Sequence, residues 1–353
     1  VRDRVPGPDV DEFAEAGQVI GALARAPHGT LLAVQHPHRT PAALAAGTGL
    51  LDALPHARAE LAALIRRAYR EVTDVVAPYR VDGPDGTACG LLCLVDPDAI
   101  AHTEDVYPDV VEERGQVLAS LGIATSAAML VPVTPHDALT PLVLGMTGEP
   151  AASVVDSGGR RHWLWLVGPG PEQDAFLEAA GAHPLLVADG NHRVAAARSA
   201  GLSGLLALVT SGPGVRVGPI HRALSGTGLA ASDLVAAWER AGLKVSSLPY
   251  VVDPEPGVVV VRCVDDVLRV ELPAGRGIDH AVVESLLLES ALGLDPESPF
   301  VRPVVDPAVD AEAVLLIAPV PLGEVLAGTK MPRKSTYFTP KPRSGLLLAD
   351  LTA

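Results

Sequence analysis

Lysine is nearly absent from this chain. Its 353 residues hold four, Lys244, Lys330, Lys334 and Lys341, and three of these fall within twelve positions near the C-terminus. A chain that takes its positive charge from arginine elsewhere and keeps compact ammonium groups here has a reason to place point charges beside phosphate or carboxylate. Aromatic residues make up only 3% and the formal net charge is −15. Clustered cations and stacking rings are both scarce, which argues against nucleic acid as a partner. No apolar run approaches the roughly 18 residues of a membrane span, so no membrane partner is expected although 48% of the residues are hydrophobic. The three cysteines, Cys89, Cys93 and Cys263, lie in strand-like surroundings that suit buried thiols in a reducing cytoplasm. Arg2, Asp3 and Arg4 lead into prolines rather than an apolar core, so a cytoplasmic location is expected. No histidines follow the His-Glu-x-x-His spacing and no Gly-x-Ser-x-Gly elbow follows a strand, so neither a structural zinc site nor serine-hydrolase chemistry is expected.

The length makes two domains the natural division, with a boundary in the Gly, Pro and Ser-rich stretch near 203–228. Helical periodicity is read at 11–26, 57–72, 110–121, 171–180, 232–241 and 280–292. Apolar runs give strands at 30–35, 88–95, 128–133, 205–210 and 313–320, and hairpins are read around Asp156-Ser157-Gly158-Gly159 and across 258–272. The alternation is that of a mixed α/β (α+β) chain.

The most informative stretch is Val187-Ala188-Asp189-Gly190-Asn191-His192-Arg193. It places a polar turn between a buried strand, 184–188, and a small-residue helix closed by Gly201. At a helix N-terminus, unpaired N–H groups and the positive end of the dipole favour an anion, and Gly190 lets the backbone approach it. His192 and Arg193 add donors. The same residues also fit an Asp-Gly turn with an Asn cap and a solvated His-Arg pair. A second basic run, Lys330 to Gly345, alternates five cations with hydroxyls and includes Tyr337-Phe338, which is unlike a solvated tail.

Together these residues resemble a widespread family of unknown function marked by an Asp-Gly-His-His-Arg turn. Pro219-Ile220-His221-Arg222 matches its Pro-Thr-His-Arg element, and Pro332 to Lys341 matches its Pro-x-Lys-Ser-Thr-x-Phe-x-Pro-Lys segment. Pro6-Gly7-Pro8-Asp9-Val10 looks like a degraded Pro-Pro-Tyr-Asp-Val element, and Glu104 with Arg114 fits a His-Glu…Arg helix. That family is similar to free-serine kinases on the ParB/sulfiredoxin-type fold. The resemblance implies a ParB/sulfiredoxin-like nucleotide-binding lobe over 1–203 and a second α/β lobe over 204–353 whose basic segment 330–345 returns to the site. It also implies phosphoryl transfer from ATP or ADP, with Mg²⁺, to the hydroxyl of a small metabolite such as free serine.

On this reading Asp9, Glu104, Asp189 and His192 are the catalytic candidates, with Asp189 also a Mg²⁺ ligand. Gly190, Asn191, His192, Arg193, His221, Arg222, Lys334, Ser335, Thr336 and Lys341 are the nucleotide-binding candidates. The chain departs from the pattern at Asn191, which replaces a histidine and cannot shuttle a proton, and at Thr103, where a histidine would precede Glu104. Asn191 also sets sulfiredoxin chemistry aside, since that requires a cysteine in the turn. A nucleotide-binding regulator or scaffold without phosphotransfer is the alternative. The oligomeric state is left open, a homodimer included.

Overall fold

The computed structural model describes residues 16–134, 136–275 and 277–352. The chain divides into two units, one running up to Arg216 and taking in the stretch from Phe338 onward, the other being Val217–Tyr337. The division falls at Arg216 rather than at 203. Leu205–Ser211, expected in the second lobe, pairs instead with Gly86–Val95 and Ala128–Pro132 in the middle of the first sheet, because its residues from Leu205 to Thr210 are buried and need cover on both faces.

The first sheet has eight strands. In spatial order they are Ile100–Ala101, Leu185–Asp189, Ala128–Pro132, Leu205–Ser211, Gly86–Val95, Ala77–Gly83, Arg161–Leu164 and Ala152–Val155. Two neighbouring pairs are parallel, 100–101 with 185–189 and 128–132 with 205–211, and the others are antiparallel. Leu91, Leu130, Val187 and Val209 from four adjacent strands pack with Phe176 and Val194 from the Pro171–Gly181 and Asn191–Ser199 helices. Burying such a side chain contributes roughly 1.5–3 kcal/mol, which makes this core the main restraint on the sheet edge where Asp189 emerges.

The hairpin read around residue 156 is present. Asp156 accepts from the Gly159 N–H at its carbonyl (3.1 Å) and from the Arg160 N–H at Oδ1 (2.9 Å). The strand expected at 30–35 is instead a helix, Leu31–Gln35. Thr30 caps it by accepting from the Ala33 N–H at 3.2 Å. Leu31 to Val34 are all buried, and a short apolar run buried all round reads the same as strand or helix until a cap decides. The helices read at 57–72 and 110–121 appear as Leu54–Ala68 and Pro108–Leu121.

The second unit is an antiparallel sheet of six strands, in the order Lys244–Leu248, Val267–Glu271, Val258–Cys263, Ala313–Leu316, His221–Leu224 and Val301–Val304. Its core gathers Leu234, Val261, Leu268, Leu287 and Leu315 around Trp238, whose indole N–H donates to the Leu287 carbonyl at 3.2 Å. The chain is therefore a mixed α/β protein whose main sheets are these two. Among the described residues no helix is long and apolar enough to cross a membrane.

Gly90 shows how tightly the first sheet is closed. It pairs with Tyr79 on one side and Thr210 on the other, and a Cβ there would stand 2.4 Å from the Val209 carbonyl oxygen. Gly90→Ala should lower stability by roughly 1–3 kcal/mol in urea unfolding. Gly181→Ala, with nothing within 4 Å of the added methyl, should stay within about 0.5 kcal/mol of the parent.

Two buried histidines make the second unit pH-sensitive. Burial, with the Arg222 guanidinium nearby, pushes His221 down to about 4 and His280 down to about 3. In the unfolded chain both regain a value near 6.5, so unfolding takes up protons as the pH falls and the stability present above pH ~6.5 is lost toward pH ~4. His221 alone should account for on the order of 3 kcal/mol. Urea unfolding at a series of pH values checks this, and His280→Gln should flatten the slope.

Candidate functional site

The Leu185–Asp189 strand ends on the carboxylate around which the candidate site is arranged. Gly190 follows at φ +99°, and a Cβ there would lie 2.7 Å from Nε of Arg193. Both the left-handed backbone and the close guanidinium require glycine. The turn opens the Asn191–Ser199 helix, with Arg193 and Val194 donating back to the Gly190 carbonyl at 2.8 and 3.0 Å. The start of this helix presents its N–H groups and the positive end of its dipole at the turn.

Arg193 reaches back over the glycine. Its Nη2 pairs with Asp189 Oδ2, and its Nη1 donates to the Ala127 carbonyl (2.5 Å) and to Ser126 Oγ (3.3 Å). From the C-terminal stretch, Lys341 Nζ donates to the other carboxylate oxygen, Asp189 Oδ1, at 2.9 Å. The three side chains are between 16% and 24% exposed, so the ion pairs are only partly screened by water. One carboxylate thus holds two cations side by side at a helix N-terminus. Such a group suits an anion.

Asn191, 8% exposed, uses its amide within the protein. Its Oδ1 accepts from the Thr103 N–H at 3.2 Å and contacts His102 Nδ1 at 3.1 Å, while its Nδ2 donates to Thr103 Oγ1 at 3.3 Å. Thr103 Oγ1 donates in turn to the Val187 carbonyl at 2.9 Å. The asparagine that replaces the expected histidine is therefore a bracket between the helix start and the 102–103 loop, and Glu104 is the next residue along. His192 Nε2 accepts from the Tyr107 N–H at 3.1 Å, which puts the ring proton on Nδ1, and the two rings stack with centroids 5.5 Å apart. Asp9 lies outside the described residues.

Lys341 is held by a strap tied along its length to the first sheet, to the turn at Asp85 and to the end of the Leu54–Ala68 helix. Thr339 Oγ1 pairs with Asp85, the Arg343 N–H donates to Tyr79 Oη at 2.9 Å, and Tyr69 Oη donates to the Gly345 carbonyl at 2.7 Å. Asp85 is itself gripped by Arg160 through Nε and Nη2. Tyr79 is buried, and because its oxygen accepts from Arg343 its proton goes to His162 Nδ1 at 2.6 Å, leaving His162 Nε2–H to donate to Asp156 at 3.1 Å. Burial raises the Tyr79 phenol and lowers His162 despite the Asp156 carboxylate beside it, so both stay neutral in this chain of hydrogen bonds. Sequence reasoning missed this chain. Asp156 was legible only as a turn residue, and nothing in Tyr79 or His162 signals that they meet.

The remaining expected site residues belong to the second unit. His221 is buried, with Nδ1 accepting from the Ile317 N–H at 3.1 Å. Arg222 pairs with Glu284 at 2.6 Å and donates to the carbonyls of Lys334 (3.1 Å) and Arg333 (3.3 Å). Its guanidinium acts as a clamp on that backbone. Lys334 sits there at φ +53°, an uncommon conformation for a residue with a side chain. Ser335 is buried and its hydroxyl donates to the Pro332 carbonyl at 2.7 Å, while Thr336 is half-buried. His221, Arg222 and Ser335 thus serve the interior of their own unit.

A family model described as "Protein of unknown function (DUF1015)" matches residues 70–252, just over half of the chain. The chain belongs to the DUF1015 family. The matched span contains the Asp189 to Arg193 turn and His221-Arg222, and the Lys334 to Lys341 segment lies beyond it. Among curated proteins none matches this DUF1015 chain. Among solved structures it is similar to a conserved hypothetical protein from Pyrococcus furiosus, at 12% identity over 74% of this chain and 96% of that one, with a TM-score of 0.42. It is also similar to C-terminally truncated SbnI from Staphylococcus aureus (13%, 74% and 88%, TM-score 0.43) and to a free serine kinase in complex with AMP (13%, 72% and 92%, TM-score 0.40).

Because Arg193 and Lys341 share one carboxylate, their contributions to stability should not add. In a double-mutant cycle of Arg193→Ala and Lys341→Ala followed by urea unfolding, a coupling of roughly 0.5–3 kcal/mol is expected. Simple additivity would mean that Asp189 does not join them.

Proposed function

We propose that this DUF1015 protein is a nucleotide-dependent kinase that phosphorylates the hydroxyl of a small metabolite such as free serine or a related hydroxy amino acid. The first unit would be a ParB/sulfiredoxin-like nucleotide lobe working in the cytoplasm. The observation that carries the reading is the pairing of Arg193 and Lys341 on Asp189 at a glycine-led helix start. The motif resemblance from Asp189 to Arg193 and from Pro332 to Lys341 points the same way. Gly190 gives the Arg193 guanidinium room to fold over the turn, so phosphate oxygens of ATP or ADP would meet the first N–H groups of the helix with Arg193 and Lys341 as charged donors.

The roles change in detail from those the sequence suggests. Each oxygen of Asp189 already meets a cation, so Asp189 is not suited to hold Mg²⁺ or to take a proton, and its work is to position Arg193 and Lys341. Glu104, next to the Thr103–Asn191 bracket, and Asp9, outside the described residues, are the carboxylates proposed to accept the proton of the acceptor hydroxyl. The bound nucleotide supplies the phosphoryl group, and the protein's share is orientation and charge.

One observation favours a second reading, a nucleotide-binding regulator without turnover. The Asn191 amide and His192 Nε2 are both spent on the 102–107 loop, so nucleotide at the turn would act on that loop directly. The deciding experiment incubates the protein with Mg²⁺, ATP or ADP and a pool of hydroxyl-bearing amino acids, with mass spectrometry reading any product heavier by one phosphoryl group. Product that disappears with Arg193→Ala and with Lys341→Ala is the expected result. Nucleotide binding without product would replace the kinase by the regulator, and neither binding nor product would sink both.

A further inference from the structure

We propose that His28, His56 and Glu60 form a binding site for a Zn²⁺-class divalent ion, one that no other part of the functional reading uses. His56 and Glu60 lie one turn apart on the Leu54–Ala68 helix, so their side chains share a face. His28 comes from the loop between the Ala16–Arg25 and Leu31–Gln35 helices. One donor atom from each of the three lies within 4.8 Å of the other two. Glu60 Oε1 is 2.8 Å from His28 Nδ1 and 3.9 Å from His56 Nε2. Ligand atoms around a tetrahedral Zn²⁺ stand roughly 3.3 Å apart, so these separations bracket what the ion needs and small side-chain rotations close the set.

The surroundings hold the donors ready. The other carboxylate oxygen, Glu60 Oε2, accepts from the Gly29 N–H at 2.9 Å, and Arg67 Nη2 donates to the Gly29 carbonyl at 2.9 Å. These two bonds tie the His28-Gly29 turn to the helix that carries the other two ligands, the kind of outer support that fixes ligand orientation. Two imidazoles and one carboxylate are a donor set for Zn²⁺ rather than for Mg²⁺ or Ca²⁺, which prefer oxygen throughout. The His28 and His56 side chains are 68% and 43% exposed, so the fourth position opens to solvent and would carry water. The ion would take the place of the hydrogen through which His28 Nδ1 bonds to Glu60 Oε1. By contrast, His136 and His183 also meet, with centroids 5.5 Å apart, but no carboxylate completes them among the described residues.

The test uses tag-free, EDTA-treated full-length protein titrated with Co²⁺, followed by its d–d absorption and by displacement with Zn²⁺. One Co²⁺ per chain is expected. His28→Ala, His56→Ala and Glu60→Gln should each weaken binding at least about tenfold, while His136→Ala should leave it unchanged. Thermal melting of the metal-free variants confirms that each is folded, and His56→Ala, which loses only an exposed ring, is the decisive one. No Co²⁺ uptake, or uptake that His56→Ala leaves unaltered in a folded protein, would overturn the site.

Discussion

The carboxylate of Asp189 is the group on which the candidate site depends. It stands where a buried strand ends, and the two cations it holds come from very different places in the chain, Arg193 four residues later and Lys341 on the C-terminal strap. Without a shared anion two such cations would repel across a partly dry space, and each would move toward water. With it they stand together at a helix start, where a further anion gains from both charges and from the dipole. The glycine at 190 is the condition for this, because its left-handed backbone lets the guanidinium fold back over the turn.

The strap accounts for the unusual use of lysine. Three of the four lysines lie in or just before it, but they are not equivalent in the folded chain. Lys341 sits between anchors made by Thr339 and Arg343, and the Arg343 anchor rests on the chain of hydrogen bonds from neutral Tyr79 and His162 to the Asp156 carboxylate. A flexible four-carbon side chain becomes a fixed charge only when its backbone is fixed, and here the sheet does that. Lys334 is set by another device, the clamp of Arg222 on the carbonyls at 333 and 334 inside the second unit. Its left-handed conformation persists because Arg222 and the Ser335 hydroxyl hold the turn on both sides of it.

Several residues with the chemistry of a site serve as its support. Asn191 takes the place of a proton carrier and binds the helix start to the loop that precedes Glu104, and His221 and Arg222 face inward, against Ile317 and Glu284. Arginine and histidine look alike in a motif whether they meet a ligand or a carbonyl. Burial decides between the two, and burial is set by the sheets on either side.

The mixed α/β class, the longer helices, about half of the strands, the hairpin at Asp156 and the strand–turn–helix at Asp189 were legible in the sequence, whereas strands such as Ala77–Gly83, Lys244–Leu248 and Val301–Val304 were not. The legible elements depend on local periodicity, turn residues and caps, which act within a few positions. Sequence reasoning also missed the helix at Leu31–Gln35, where a short apolar run carries no period and only the Thr30 cap decides. Only the tertiary structure decided that Lys341 meets Asp189, that Tyr79 joins His162 to the strap, that Leu205–Ser211 belongs to the first sheet and that His28 reaches Glu60. Each of these joins residues far apart in the chain, and such contacts follow from how the buried faces pack rather than from any local pattern of residues.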